Sequence, residues 1–120
     1  MNGSMTFGNF IRKKGREQNG TSCKTAEIVG IAPMYLCDIE RDKKTNPSCE
    51  VMQKLIAALR LNEEETAFFY DLHAKANGIV SQDLTAYIME NDIIRTFLRM
   101  ARDKSITESD WERVKEIITK

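Results

Sequence analysis

Apolar positions recur at helical spacing along almost the whole of this 120-residue chain, and no run alternates as a strand would. Phe7, Phe10, Ile11 and Lys14 share a stripe on a first helix, about Thr6 to Gln18, with Asn19-Gly20 as a left-handed stop. A second helix runs from about Ser22 to Val29. Ala32-Pro33 opens a third, with proline at the first helical position, where its missing N–H costs nothing. That helix ends near Arg41, followed by the polar loop Asp42-Lys43-Lys44-Thr45-Asn46 and the extended Asn46-Pro47 turn. Ser48 caps a fourth helix with Val51, Met52, Leu55, Ile56 and Leu59 inward. Asn62 and Glu65 form a capping box for a fifth, whose inward positions read as Ala67, Phe68, Leu72 and Ala76 and which stops at Asn77-Gly78.

Three shorter helices follow. Ser81 caps the first, with Leu84, Tyr87 and Ile88 apolar; Asn91 or Asp92 caps the next, with Ile93, Ile94, Phe97, Leu98 and Ala101 apolar. Thr107 to Asp110 forms a capping box for the last, which carries Trp111, Val114, Ile117 and Ile118. The pattern predicts an all-α protein: a disordered leader at 1–5, a five-helix domain at 6–76 and a helical extension at 79–120. The extension is too apolar to stand alone in water and predicts dimerisation or packing on the core.

Within the first domain, one stretch carries more than periodicity. Ala26 is small where two helices would cross. Gly30 follows four residues later, where a tight turn needs positive φ, and Leu36 and Ile39 share a face of the next helix. This order is the helix-turn-helix pattern, in which the second helix lies in the DNA major groove. Net charge is zero, but residues 1–60 hold ten Lys/Arg against six Asp/Glu, a net of +4, and residues 61–120 hold eight against twelve, a net of −4. The basic half is the half that holds the motif, as a phosphate-facing surface requires.

Residues from about Phe7 to Leu61 resemble the Xre/Cro-type, lambda-repressor-like helix-turn-helix domain. The resemblance rests on Phe7 to Lys14, on Ala26…Gly30 to Arg41, and on Pro47-Ser48 followed by Leu55 to Leu59. It implies sequence-specific binding of double-stranded DNA by a small bacterial or phage-like transcriptional regulator, repressor in style and homodimeric. It places Pro33, Met34, Cys37 and Asp38 at base edges, Thr21, Ser22 and Cys23 beside the phosphates, and Lys43 and Lys44 on the backbone. Arg12 and Arg16 join this set as flanking phosphate contacts.

Three positions depart from that pattern. Ser22 shortens a polar clamp. Gly15 stands where many such proteins carry an arginine paired with the acid matched by Glu40, leaving Arg12 or Arg16 as partners for it. Asp42 puts a negative charge near DNA. No Arg, Lys, Asn or Gln among the four base-edge positions offers bidentate contacts, so apolar touches on thymine methyls and DNA shape carry the specificity. A second reading keeps the helix-turn-helix as a scaffold and gives the acidic extension an antitoxin-like or adaptor role on a protein partner.

Other chemistry is sparse. Cys23, Cys37, Cys49 and His73 lack metal-ligand spacing and no cofactor motif occurs, so neither metal nor cofactor is expected. Cys37, on the DNA-facing helix, is a candidate oxidation sensor; each cysteine otherwise reads as a small half-buried residue. One histidine without a nucleophile partner, and no glycine-rich phosphate loop, argue against an enzyme. Three cysteines with no close pair fit a reducing cytoplasm, and no apolar run approaches the roughly 18 residues of a membrane span.

Overall fold

The computed structural model describes residues 5–119; residues 1–4 of the expected leader lie outside them. All described secondary structure is helical: α1 (Phe7–Asn19), α2 (Ser22–Val29), α3 (Pro33–Glu40), α4 (Cys49–Leu59), α5 (Glu63–Asn77), α6 (Gln82–Glu90), α7 (Asp92–Asp103) and α8 (Glu108–Thr119). The chain divides into two units between Asp83 and Leu84, several residues beyond the Asn77-Gly78 stop. None of the described helices is long and apolar enough to cross a membrane.

In the first unit the helix ends follow local chemistry. The side chains of Thr6, Thr21 and Ser48 accept hydrogen bonds from the backbone N–H three residues on, and Asn62 and Glu65 form the reciprocal capping box. Gly30 adopts φ 84°, and its N–H closes α2 onto the Ala26 carbonyl at 2.8 Å. Phe7, Phe10, Ile11, Ala26, Val29, Leu36, Ile39, Met52, Leu55 and Leu59 pack into one core, and Met5, at the end of the expected leader, rests against it. Asn19 Nδ2 ties α1 to α2 and α4 by donating to Thr25 Oγ1 at 3.1 Å and to the Ala58 carbonyl at 3.2 Å.

The fifth helix is rotated from its expected phase. Phe69, Tyr70, Leu72, His73 and Ala74 are buried, whereas Ala67, Phe68 and Ala76 are exposed. Three consecutive aromatics leave the inward position ambiguous in sequence. The choice falls to Phe69 because it meets the rings of Phe7 and Phe10 at 5.2 and 6.4 Å. Phe68 stays at the rim, edge-on to Phe10 at 5.4 Å. Lys14 of α1 pairs with Glu65 of α5 across this seam.

His73 is buried beside Phe7, with ring centroids 5.4 Å apart. Its Nε2 meets Asn46 Oδ1 at 3.0 Å, which assigns the proton to Nε2, and Nδ1 has no partner among the described residues. Asn77, one turn on, donates to the Thr45 and His73 carbonyls at 2.7 and 2.9 Å. The end of α5 thereby holds the 45–46 segment that follows α3.

In the second unit, Thr107 and Asp110 cap α8 reciprocally, as the sequence predicts. Asn91 precedes α7, but its side chain turns back to the Tyr87 carbonyl instead of capping. Phe97 of α7 meets Trp111 of α8 edge-on at 5.7 Å.

Among the glycines of the described residues, the closest approach to a neighbouring helix is at Gly8. A Cβ there would sit 2.5 Å from the carbonyl oxygens of both Ile39 and Glu40 and 2.8 Å from the Glu40 carbonyl carbon. All three atoms are backbone, so the added methyl costs about 1–3 kcal/mol in overpacking. Set against the gain of about 1 kcal/mol that alanine brings to a helix interior, Gly8→Ala is expected to destabilise by up to about 2 kcal/mol; chemical denaturation checks it.

A second expectation concerns pH. Burial holds His73 below its ordinary value of 6.5. The folded state therefore prefers the neutral ring, and its stability is intact above 6.5 and lost as pH falls below it, where the unfolded chain takes up the proton. Unfolding curves between pH 7.5 and 5.5 should show this loss, and His73→Gln should flatten it.

Candidate nucleic-acid interface

The α2–turn–α3 pair is built from positions with narrow local requirements. Ala26, Leu36 and Ile39 are fully buried, so the two helices cross closely. The N–H groups of Gly30 and Ile31 both reach the Ala26 carbonyl, at 2.8 and 3.1 Å. Pro33 starts α3 at its first turn and no side chain caps it. Thr21 accepts from the Lys24 N–H at 3.1 Å, and Thr25 N–H bonds the Thr21 carbonyl at 3.2 Å. The amides of Ser22 and Cys23 are left without intrahelical acceptors at the positive end of α2.

Beside that helix end lies a cleft of about 330 Å³ lined by Arg12 and Arg16 of α1, Ser22 and Cys23 of α2, Pro33, Cys37 and Glu40 of α3, and Arg41. Six of the eleven expected contact residues are therefore brought together. The other five lie outside its wall. Thr21 is used as a helix cap. Met34 is 70% exposed on α3. Asp38 is half-buried, and its carbonyl accepts from the Lys43 and Lys44 N–H groups at 2.9 and 3.2 Å. Lys43 is exposed, and the Lys44 ammonium lies 5.9 Å from the centre of the Tyr35 ring.

Two expectations about acids are corrected. Glu40 pairs with neither Arg12 nor Arg16; the Ser22 hydroxyl holds its carboxylate, at 3.0 and 2.9 Å to the two oxygens. That frees both guanidiniums and commits the Ser22 side chain. Asp42 does not stand as a charge toward the ligand face. At φ 61° it turns back on α1, accepting from Thr6 Oγ1 at 2.7 Å and from the Gly8 N–H at 2.9 Å. A carboxylate on a helix N-terminus is favourable there.

Arg41 lines the cleft without having been expected there. The signal was present: Pro33, Cys37 and Arg41 recur every four residues, on one face of α3 and its C-cap. Ending the helix at Arg41 hid that continuity. No group of three or more His, Cys, Asp or Glu among the described residues is placed to hold a metal ion.

No protein-family model matches the chain, and no solved structure matches it. Two curated proteins are similar to it. The HTH-type transcriptional regulator SinR of Bacillus licheniformis is 28% identical over 111 residues, covering 87% of this chain and 99% of that protein. The SinR protein of Bacillus subtilis (strain 168) is 28% identical over 99 residues, covering 77% of this chain and 88% of that protein.

The Asp42 clasp has a measurable worth. Asp42→Asn tolerates the positive φ as aspartate does and removes the charge and one acceptor oxygen, so the variant should lose about 0.5–1.5 kcal/mol in equilibrium unfolding. An unchanged midpoint would place Asp42 on the open surface instead.

Proposed function

We propose that this Xre-like helix-turn-helix protein is a DNA-binding transcriptional regulator of the small bacterial or phage-like kind, repressor in style, and that the α2–α3 face of its first unit meets double-stranded DNA. The observation that carries this reading is the cleft at the start of α2. Three arginines line it, and the Glu40 carboxylate among them already accepts from the Ser22 hydroxyl. Arg12, Arg16 and Arg41 contact phosphates together with the Ser22 and Cys23 amides. Lys43 and Lys44 take the backbone beyond α3. Pro33, Met34 and Cys37 present apolar, polarisable contacts to thymine methyls, and Asp38 accepts from a cytosine amine.

The second unit supports self-association. Ile93, Phe97 and Met100 line an open apolar groove on α7, and Ile117 and Ile118 are exposed on α8. A two-fold homodimer would present two α3 helices to half-sites about one DNA turn apart. The same groove favours the second reading, a protein partner bound by this unit while the helix-turn-helix serves as scaffold.

Fluorescence anisotropy on duplex DNA at about 50 and 200 mM salt tests both. The expected result is binding at two chains per duplex with a steep salt dependence. Lys43→Glu with Lys44→Glu should weaken it at least about tenfold and reduce the salt slope by about two, with the melting temperature little changed. Absence of binding even at low salt overturns the regulator reading and leaves the protein-binding one.

A further inference from the structure

Two of the three cysteines line the arginine cleft. Cys23 is exposed at the second position of α2, and Cys37 is half-buried on the facing side of α3. Nothing in the framework calls for sulfur at either place, because Thr21 supplies the cap and Ala26, Leu36 and Ile39 supply the packing. The third thiol, Cys49, opens α4 outside the cleft, with Sγ 3.8 Å from Gln82 Oε1. It provides an internal comparison of similar exposure without the arginines.

The chemistry of the cleft selects a reagent. A thiolate attacks disulfide sulfur, and guanidiniums concentrate anions and bind carboxylates in paired hydrogen bonds. We propose that the cleft is a thiol-modification site for anionic low-molecular-weight disulfides, which Arg12, Arg16 and Arg41 guide onto Cys23, with Cys37 as the second thiol in reach. Cys23 Sγ, as thiolate, attacks one sulfur of the reagent. A new S–S bond forms, the reagent's own S–S bond breaks, and its other half leaves as a thiol carrying the proton that Cys23 gave up. The protein thiol is oxidised and half the reagent is reduced, so no further oxidant enters. The adduct leaves a carboxylate-bearing group among the guanidiniums, where it competes with phosphate. This last consequence, the release of DNA, rests on the function proposed above.

The experiment uses the full chain and the dianionic disulfide 5,5′-dithiobis(2-nitrobenzoate), with uncharged 2-hydroxyethyl disulfide as control and mass mapping of the labelled thiols. At low ionic strength Cys23 should react about tenfold faster than Cys49, with the ratio collapsing at high salt and with the neutral disulfide. Arg16→Gln with Arg41→Gln should lower the Cys23 rate and leave the Cys49 rate alone. Labelled protein should lose at least about tenfold in duplex affinity and regain it in dithiothreitol. Cys49→Ser should respond as the parent does, and Cys23→Ser with Cys37→Ser should not respond. Equal rates at Cys23 and Cys49, or a ratio indifferent to salt, overturn the site. Full labelling with undiminished affinity overturns the switch. A parent protein that binds no DNA sinks the regulator reading instead, and the labelling contrast still decides the thiol site.

Discussion

The approach of α1 to the end of α3 at Gly8 is the constraint on which the rest of the interface depends. With no side chain at this position, the α1 backbone comes within van der Waals range of the Ile39 and Glu40 carbonyls. Asp42 then closes the contact from the other side by binding the Thr6 hydroxyl and the Gly8 N–H. Gly8, Arg12 and Arg16 are spaced four residues apart, so they lie along one face of α1. Seating Gly8 against α3 therefore aims that face, and both arginines with it, along the groove toward the start of α2. On α3 the matching row is Pro33, Cys37 and Arg41. The cleft is where these two rows meet, and its shape follows from one missing Cβ and one inward carboxylate.

What could be read from the sequence follows the locality of each requirement. Gly30 needs a left-handed turn, Ala26 a close crossing, Leu36 and Ile39 a buried face. Each of these demands is met within a few residues, and each was legible. The caps at Thr6, Thr21, Ser48 and Asn62 were legible for the same reason. The phase of α5 was not, because Phe68, Phe69 and Tyr70 are interchangeable until the rings of Phe7 and Phe10 choose among them. Asp42 looks like a free charge in the sequence because its partners are 34 and 36 residues away. Glu40 suggests an arginine partner in the sequence, whereas the short Ser22 side chain stands at the right place to reach it.

These misreadings share a cause. An acid near a candidate nucleic-acid face invites a charge role in a linear reading, a free charge for Asp42 and an ion pair for Glu40, and both turn out to be acceptors for uncharged donors. Their engagement changes the local balance more than a net charge can express. With Glu40 tied to a hydroxyl and Asp42 to a helix N-terminus, the guanidiniums of Arg12, Arg16 and Arg41 have no carboxylate partner within ion-pair range among the described residues. The formal charge of zero thus coexists with a strongly basic cleft, because Lys14–Glu65 and Lys24–Glu27 take their pairs away from it.

The same arrangement bears on how such a face would discriminate between DNA sequences on the proposed reading. Guanidiniums at the ends of the α1 and α3 rows fix register through phosphates and carry no base code by themselves. Between them α3 offers Pro33, Met34 and Cys37, side chains with no strong hydrogen-bond donor or acceptor. Discrimination built from methyl contacts is worth less per base pair than a bidentate pair, so more of it must come from the deformability of the duplex between the fixed points. Arg41 is the exception on this row, since a guanidinium at the C-cap of α3 is equally suited to a phosphate or to the paired acceptors of a guanine. A deeper seat of α3 in the groove would make Arg41 a base reader, and a shallower one a phosphate anchor.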